Sequence, residues 1–274
     1  MITSAELHRV AEEEGLRFDQ AEKDYVILWV LWGLVHTGVT RHVWAFKGGT
    51  CLRHCYYNGY RFSEDIDFSC RPGGDNLDAS LKFLQKTAEH VQNESGVRIT
   101  VKKPITIPGD FQIEIPLEYS RGGARRQGLP QVKVHLTFDE PILETPIACS
   151  IKSGYSDLSA FKVHSYTKKE IVAEKLRSLL QQQKKWPRPR DLYDLWYMLC
   201  RSHEHFVWTE LFPMFEEKCR VRDIKPDTSG LTSTKLKEWN KNAWRDRLGP
   251  MVKDLPDFDL VWKEWTETFH SIAG

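Results

Sequence analysis

The hydrophobic pattern divides the chain into three stretches. Residues 4–15 read as a helix, with Ser4 as its N-cap and Glu6 in the first turn. A second helix is predicted over 20–36. Its apolar residues (Tyr25, Val26, Leu28, Trp29, Leu31, Trp32, Val35) are dense enough to imply burial on most sides. Thr37-Gly38-Val39-Thr40 ends it. Val43-Trp44-Ala45-Phe46 reads as a short buried strand entering a Lys47-Gly48-Gly49-Thr50 turn. A helix with Leu52, Cys55 and Tyr56 follows and stops at Asn58-Gly59. Residues 61–69 are strand-like, 71–75 a loop, and 77–93 an amphipathic helix.

The period then changes to two. Residues 97–101, 111–117 and 132–138 alternate apolar and polar positions, as strands of an antiparallel or mixed sheet do. From Lys168 onward the chain turns helical. Ile171, Val172, Leu176, Leu179 and Leu180 line one face of a helix over 168–183. Trp186-Pro187-Arg188-Pro189-Arg190 breaks it, and helices are expected again over 191–200, 208–220, 233–248 and 256–272. The prediction is an α+β (mixed α/β) protein. Residues 1–160 form a sheet-bearing core with N-terminal helices, and 161–274 form a helical region that completes a cleft.

Composition adds little to this picture. Hydrophobic residues at 41% and charged residues at 28% of 274 fit a globular protein. The net charge of +1 means that any nucleic-acid binding must come from local patches. The N-terminus is too polar for a signal peptide, and no stretch approaches the roughly 20 apolar residues of a membrane span. The six cysteines form no CxxC pair and read as small buried hydrophobes in a reducing compartment. A cytoplasmic protein without membrane contact is expected.

The chemistry concentrates around residues 47–69. Asp65 and Asp67 are separated by one residue in a strand, so both point to one face while Ile66 and Phe68 point to the core. Paired carboxylates repel, and a hard divalent cation relieves the repulsion. Gly48-Gly49 at a helix start lets a phosphate approach the backbone N–H groups. Ser63 can hydrogen-bond a phosphate or a metal-bound water. Further on, Lys175 sits mid-helix, and Asp191 with Asp194 lies in the first turns of the next helix. Basic residues gather at Arg121, Arg125 and Arg126 and at Lys184, Lys185, Arg188 and Arg190, the second group interleaved with Trp186. Such groups bind phosphate backbones and stack on bases.

Taken together, Lys47-Gly48-Gly49-Thr50-x-Leu52, Arg61-x-Ser63-x-Asp65-Ile66-Asp67-Phe68, Ala173-Glu174-Lys175-Leu176 and Arg190-Asp191-Leu192-Tyr193-Asp194-Leu195 resemble the AbiEii/AbiGii (MenT-like) nucleotidyltransferase toxins over about residues 40–200. The resemblance implies a DNA polymerase β-like core with a mixed sheet, followed by a helical region. It implies Mg²⁺ or Mn²⁺, a nucleoside triphosphate substrate and a cognate antitoxin. By position, Asp65 and Asp67 would bind the metals. Lys47, Gly48, Gly49, Thr50 and Ser63 would hold the triphosphate, Lys175 would contact its phosphates, and Asp191 would complete the site. The acceptor it suggests is the 3′ end of tRNA, gripped by the two basic groups. Polymerase β-like enzymes often take a third carboxylate from a later strand. The matching strand here carries His135, which as a neutral imidazole could act as a base or weak ligand. Transfer to a small molecule or a protein remains an alternative, as does a degenerate nucleotide- or RNA-binding module.

Overall fold

The computed structural model of the chain describes residues 1–38, 44–71, 76–106, 112–122, 128–182 and 186–273. Val39, Thr40, Val43, the loop at 72–75 and Phe111 lie outside the described residues. The chain forms two units, Met1–Tyr166 and Thr167–Gly274.

The first unit opens with helix α1 (Ser4–Glu14). Its cap is Thr3 and not Ser4: the Thr3 hydroxyl accepts from the Glu6 N–H at 3.2 Å, so Ser4 is already the first helical residue. Helix α2 (Phe18–Thr37) ends at Gly38, whose φ of 89° closes the helix in the left-handed conformation. Strand β1 (Trp44–Lys47) runs into α3 (Gly48–Cys51), which widens into one π-helical turn, Leu52–Tyr56. Strand β2 (Asp65–Cys70) precedes α4 (Leu77–Ser95). Six further strands follow: β3 (Arg98–Val101), β4 (Ile105–Thr106), β5 (Gln112–Ser120), β6 (Gln131–Thr137), β7 (Ile147–Ile151) and β8 (Phe161–Ser165).

They form one mixed sheet in the order β3-β5-β6-β2-β1-β8-β7, with β4 also paired to β5. The β1–β8 and β2–β6 pairs are parallel, and the other pairs are antiparallel. Burial follows the pleat. In β2, Ile66 and Phe68 are fully buried, while Asp65 and Asp67 are half-exposed on the opposite face. Helix α2 packs against β6, β8 and α4, which explains its apolar residues on nearly every side. Residues 161–165, expected in the helical region, instead form β8, which hydrogen-bonds to both β1 and β7. The division therefore falls after Tyr166 and not at 160.

The second unit is helical: α5 (Lys168–Gln182), α6 (Pro189–Trp196) with a π-helical continuation Tyr197–Arg201, α7 (Trp208–Arg220), α8 (Thr234–Leu248) and α9 (Phe258–Ala273). Helix α5 packs on α6 and α7, and α6 packs on α8 and α9. Lys218 and Glu170 pair at 2.9 Å with neither side chain exposed. Breaking such a buried pair from one side is costly. No helix is long and apolar enough to cross a membrane among the described residues.

Candidate active site

The turn between β1 and α3 meets β2 side on. Gly48 has a φ of 79°, in the region that disfavours side chains, and a Cβ built there would lie 2.2 Å from Asp67 Oδ2. A Cβ on Gly49 would lie 2.7 Å from an Arg61 guanidinium nitrogen and 2.9 Å from Ser63 Oγ. The two glycines thus bring backbone against the Asp67 carboxylate on one side and against Arg61 and Ser63 on the other. The first N–H groups of a helix have no intrahelical acceptor, so this turn is suited to an anion.

The strand register builds a row across the sheet. Asp67 stands opposite His135 in the parallel β2–β6 pair, and His135 stands opposite Glu114 in the antiparallel β5–β6 pair. The His135 ring bridges them, with Nδ1 2.9 Å from Asp67 Oδ1 and Nε2 3.4 Å from Glu114 Oε2. Burial alone would lower the His135 pKa. The hydrogen bond and charge of Asp67, with Asp65 and Glu114, outweigh it and raise the value to about 9. The carboxylates on either side thus favour the protonated ring, in which both nitrogens donate. Glu114 itself is held below the usual carboxylate range. Its burial opposes this, and hydrogen bonds from Lys133, at 3.0 Å, and His135 prevail. Sequence reading missed Glu114. The alternation of β5 marks it as a polar-face residue, but its neighbour is set by register across strands.

Two residues expected at the nucleotide turn inward. Lys47 is buried and pairs with Glu140 Oε2 at 2.8 Å, each side chain 3% exposed, with its ammonium 5.6 Å from the Tyr166 ring centre. It is placed as an internal charge, because β1 is covered along its whole length. Thr50 is fully buried and its hydroxyl donates to the Asp65 carbonyl, so it ties α3 to the start of β2. Ser63, by contrast, sits against Gly49 as described.

In the second unit, Lys175 on α5 reaches across to α6. Its ammonium lies 2.8 Å from Asp191 Oδ1 and 2.7 Å from Asp194 Oδ2. Asp194 is fully buried and Asp191 partly exposed. The i, i+3 spacing of the two aspartates sets both carboxylates on the face that meets Lys175.

Of the basic residues expected to meet RNA, Arg125, Arg126, Lys184 and Lys185 lie outside the described residues. Arg121 does not point outward. Its side chain is 9% exposed, donates to the Ile2 carbonyl at 2.8 Å, lies 3.8 Å from Glu22 and covers the Tyr25 ring. Packing against α2 has taken up this charge. Arg188 is exposed, Arg190 is half-buried, and Trp186 is 72% exposed.

Among the described residues no three His, Cys, Asp or Glu side chains form a metal cage. Mg²⁺ is commonly bound by only one or two carboxylates, with substrate phosphates and water supplying the remaining oxygens. Asp65 and Asp67, on one strand face beside a glycine turn, match that donor set.

Residues 31–269 match the family model described as nucleotidyl transferase AbiEii toxin, type IV TA system. Among solved structures, the chain is similar to the nucleotidyltransferase toxin MenT4 of Mycobacterium tuberculosis, at 17% identity and a TM-score of 0.62, over 100% of this chain and 90% of that one. It is similar to JHP933 of Helicobacter pylori at 18% identity and a TM-score of 0.59, over 94% of this chain and 93% of that one. At such identities the likeness speaks for the fold. No curated protein matches the sequence. The family match, spanning most of the chain, assigns it: the protein belongs to the AbiEii family of nucleotidyl transferase toxins of type IV toxin–antitoxin systems.

Proposed function

We propose that this nucleotidyltransferase transfers a nucleotide from a nucleoside triphosphate to the 3′ hydroxyl of tRNA, with the α–β phosphoanhydride bond breaking and pyrophosphate leaving, using Mg²⁺ held by Asp65 and Asp67. The observation that carries the reading is the contact between the Gly48 turn and Asp67, which puts an anion-binding backbone directly beside a carboxylate pair. When bound, Mg²⁺ would offset charge on the phosphates and lower the pKa of a coordinated hydroxyl.

The remaining roles belong to the chain. Backbone N–H groups at Gly48 and Gly49, with the Ser63 hydroxyl, hold the triphosphate and keep its phosphorus oriented for in-line displacement. Asp65 and Asp67 present their oxygens on one strand face, and the Thr50 hydroxyl fixes where that strand begins. Lys175 is assigned to the phosphates and Asp191 to its orientation, in keeping with their 2.8 Å pair. The acceptor is gripped by the 186–190 segment, where an exposed indole next to Arg188 and Arg190 suits base stacking and phosphate contact. Family membership implies a cognate antitoxin that opposes this activity in the cell.

The test is incubation of the purified protein with each labelled nucleoside triphosphate, Mg²⁺ and total tRNA, read on a denaturing gel. The Asp65→Asn/Asp67→Asn double variant serves as control. Label is expected in tRNA with the native protein and not with the folded double variant. Transfer by that variant, or label appearing in protein or a small-molecule acceptor instead, would overturn the reading.

A further inference from the structure

The glycine turn and the returning loop that carries Arg61 and Ser63 are joined by one helix, and Arg53 closes the joint. Arg53 lies on the π-helical turn after α3, with a side chain 5% exposed. Each part of its guanidinium meets a different element. Nη1 donates to the Tyr60 carbonyl. Nη2 donates to Glu14 Oε2 at the end of α1, at 3.0 Å. Nε lies 3.4 Å from Asp24 Oδ1 on α2. Asp24 is itself fixed: His54 Nε2 lies 3.0 Å from its Oδ1, and the Tyr155 hydroxyl, 2.9 Å from the Ala21 carbonyl, lies 3.2 Å from Oδ2.

The loop is then gripped at successive points. Tyr60 is held by Arg53, Arg61 and Ser63 lie against Gly49, Glu64 pairs with Lys23 at 3.5 Å, and the Asp65 carbonyl accepts from Thr50. Three of these grips come from residues 49–53. The helix that presents the glycine backbone therefore also sets the position of Ser63 and the start of the aspartate strand.

We propose that Arg53 is a positioning residue for the nucleotide: its bond to the Tyr60 carbonyl holds the 61–63 segment against Gly49, so that Ser63 and the glycine backbone act on the same phosphate. This rests on the reading that Ser63 and Gly48-Gly49 hold the triphosphate. Arg53 touches no reacting atom. A purely structural role, knitting α1 and α2 to the turn, would cost stability without separating substrate binding from turnover.

Arg53→Lys distinguishes the two. A lysine keeps the charge but not the planar fork, so it cannot serve Tyr60, Glu14 and Asp24 together. A cavity of about 380 Å³ lined by Glu14, Asp24, Arg53 and His54 leaves room to hydrate the shorter reach. In the full chain, amide exchange over 60–64 should quicken about tenfold, and the nucleotide KM should rise by about the same factor, as expected for losing a hydrogen bond to a charged group. The kcat should change far less, and β6 amides should keep their protection. Glu14→Gln, at the exposed end of the network, should give a smaller rise in KM and guards against loss of fold in the first variant. Unchanged 60–64 exchange in Arg53→Lys would overturn the proposal alone. Faster exchange with an unchanged KM would overturn the reading that this loop holds the nucleotide, and with it the role of Arg53.

Discussion

Asp67 and His135, 68 residues apart in sequence, stand opposite each other in parallel strands with Nδ1 and Oδ1 2.9 Å apart. An imidazole ring thus occupies the place beside the aspartate pair where a third carboxylate would add negative charge. His135→Asp tests what that exchange does. Without metal, three carboxylates in one row should repel and lower stability by roughly 1–2 kcal/mol, the order of one pKa unit of carboxylate interaction. Mg²⁺ should then raise the melting temperature of the variant by more than that of the native protein. Equal shifts, measured with and without EDTA, would show that the row does not share a cation site.

Gly48→Ala places a Cβ at φ 79° and 2.2 Å from Asp67 Oδ2. The left-handed conformation alone costs about 1–2 kcal/mol, and the clash must push Asp67 away. Transfer activity should fall much further than stability does. Activity surviving with a normal Mg²⁺ requirement would mean that the approach of this turn to Asp67 is incidental.

Lys175→Met removes the ammonium that lies between Asp191 and the fully buried Asp194. Breaking a buried ion pair from one side costs about 3–5 kcal/mol, so chemical denaturation should show a loss of that order. Lys175→Met with Asp194→Asn should recover much of it, while the nucleotide KM stays raised. If the double variant regains both stability and KM, Lys175 serves the helical unit and not the nucleotide.

Asp24 sets a pH prediction. Burial alone would raise its pKa. His54, Arg53 and Tyr155 outweigh that and hold it below its ordinary 3.8. A carboxylate depressed in the folded state stabilises above its unfolded value and loses that contribution as pH falls through the folded one. Stability should therefore decline below about pH 4 with a component that Asp24→Asn removes. Acid titration of the native and variant melting temperatures checks this, and parallel curves would contradict it.

Much of the site was legible from local patterns. A one-residue separation in a strand puts Asp65 and Asp67 on one face whatever the strand pairs with, and burial of Ile66 and Phe68 matches it. The glycine pair before an apolar run announced a turn into a helix. Helical spacing of Ile171, Leu176 and Leu179 located α5 within a residue. Strands β7 and β8 escaped because each is five residues long and partly polar, too short for alternation to stand out from a loop. That miss also misplaced the boundary, since β8 returns to the sheet of the first unit between β1 and β7.

Other roles were settled only by tertiary pairing. Lys47 and Thr50 lie inside the glycine motif, yet one is turned to Glu140, 93 residues away, and the other to the Asp65 carbonyl. Glu114 became part of the row only through the β5–β6 register, where a shift by one residue would have faced it to the other side. Arg121 looked like a free cation in a glycine-rich loop and is instead folded over Tyr25. The sequence by itself determined which faces are polar and where turns and helices begin, because those depend on neighbours a few residues apart. Tertiary structure decided which charges meet, because strand order and register bring together residues that no local spacing relates.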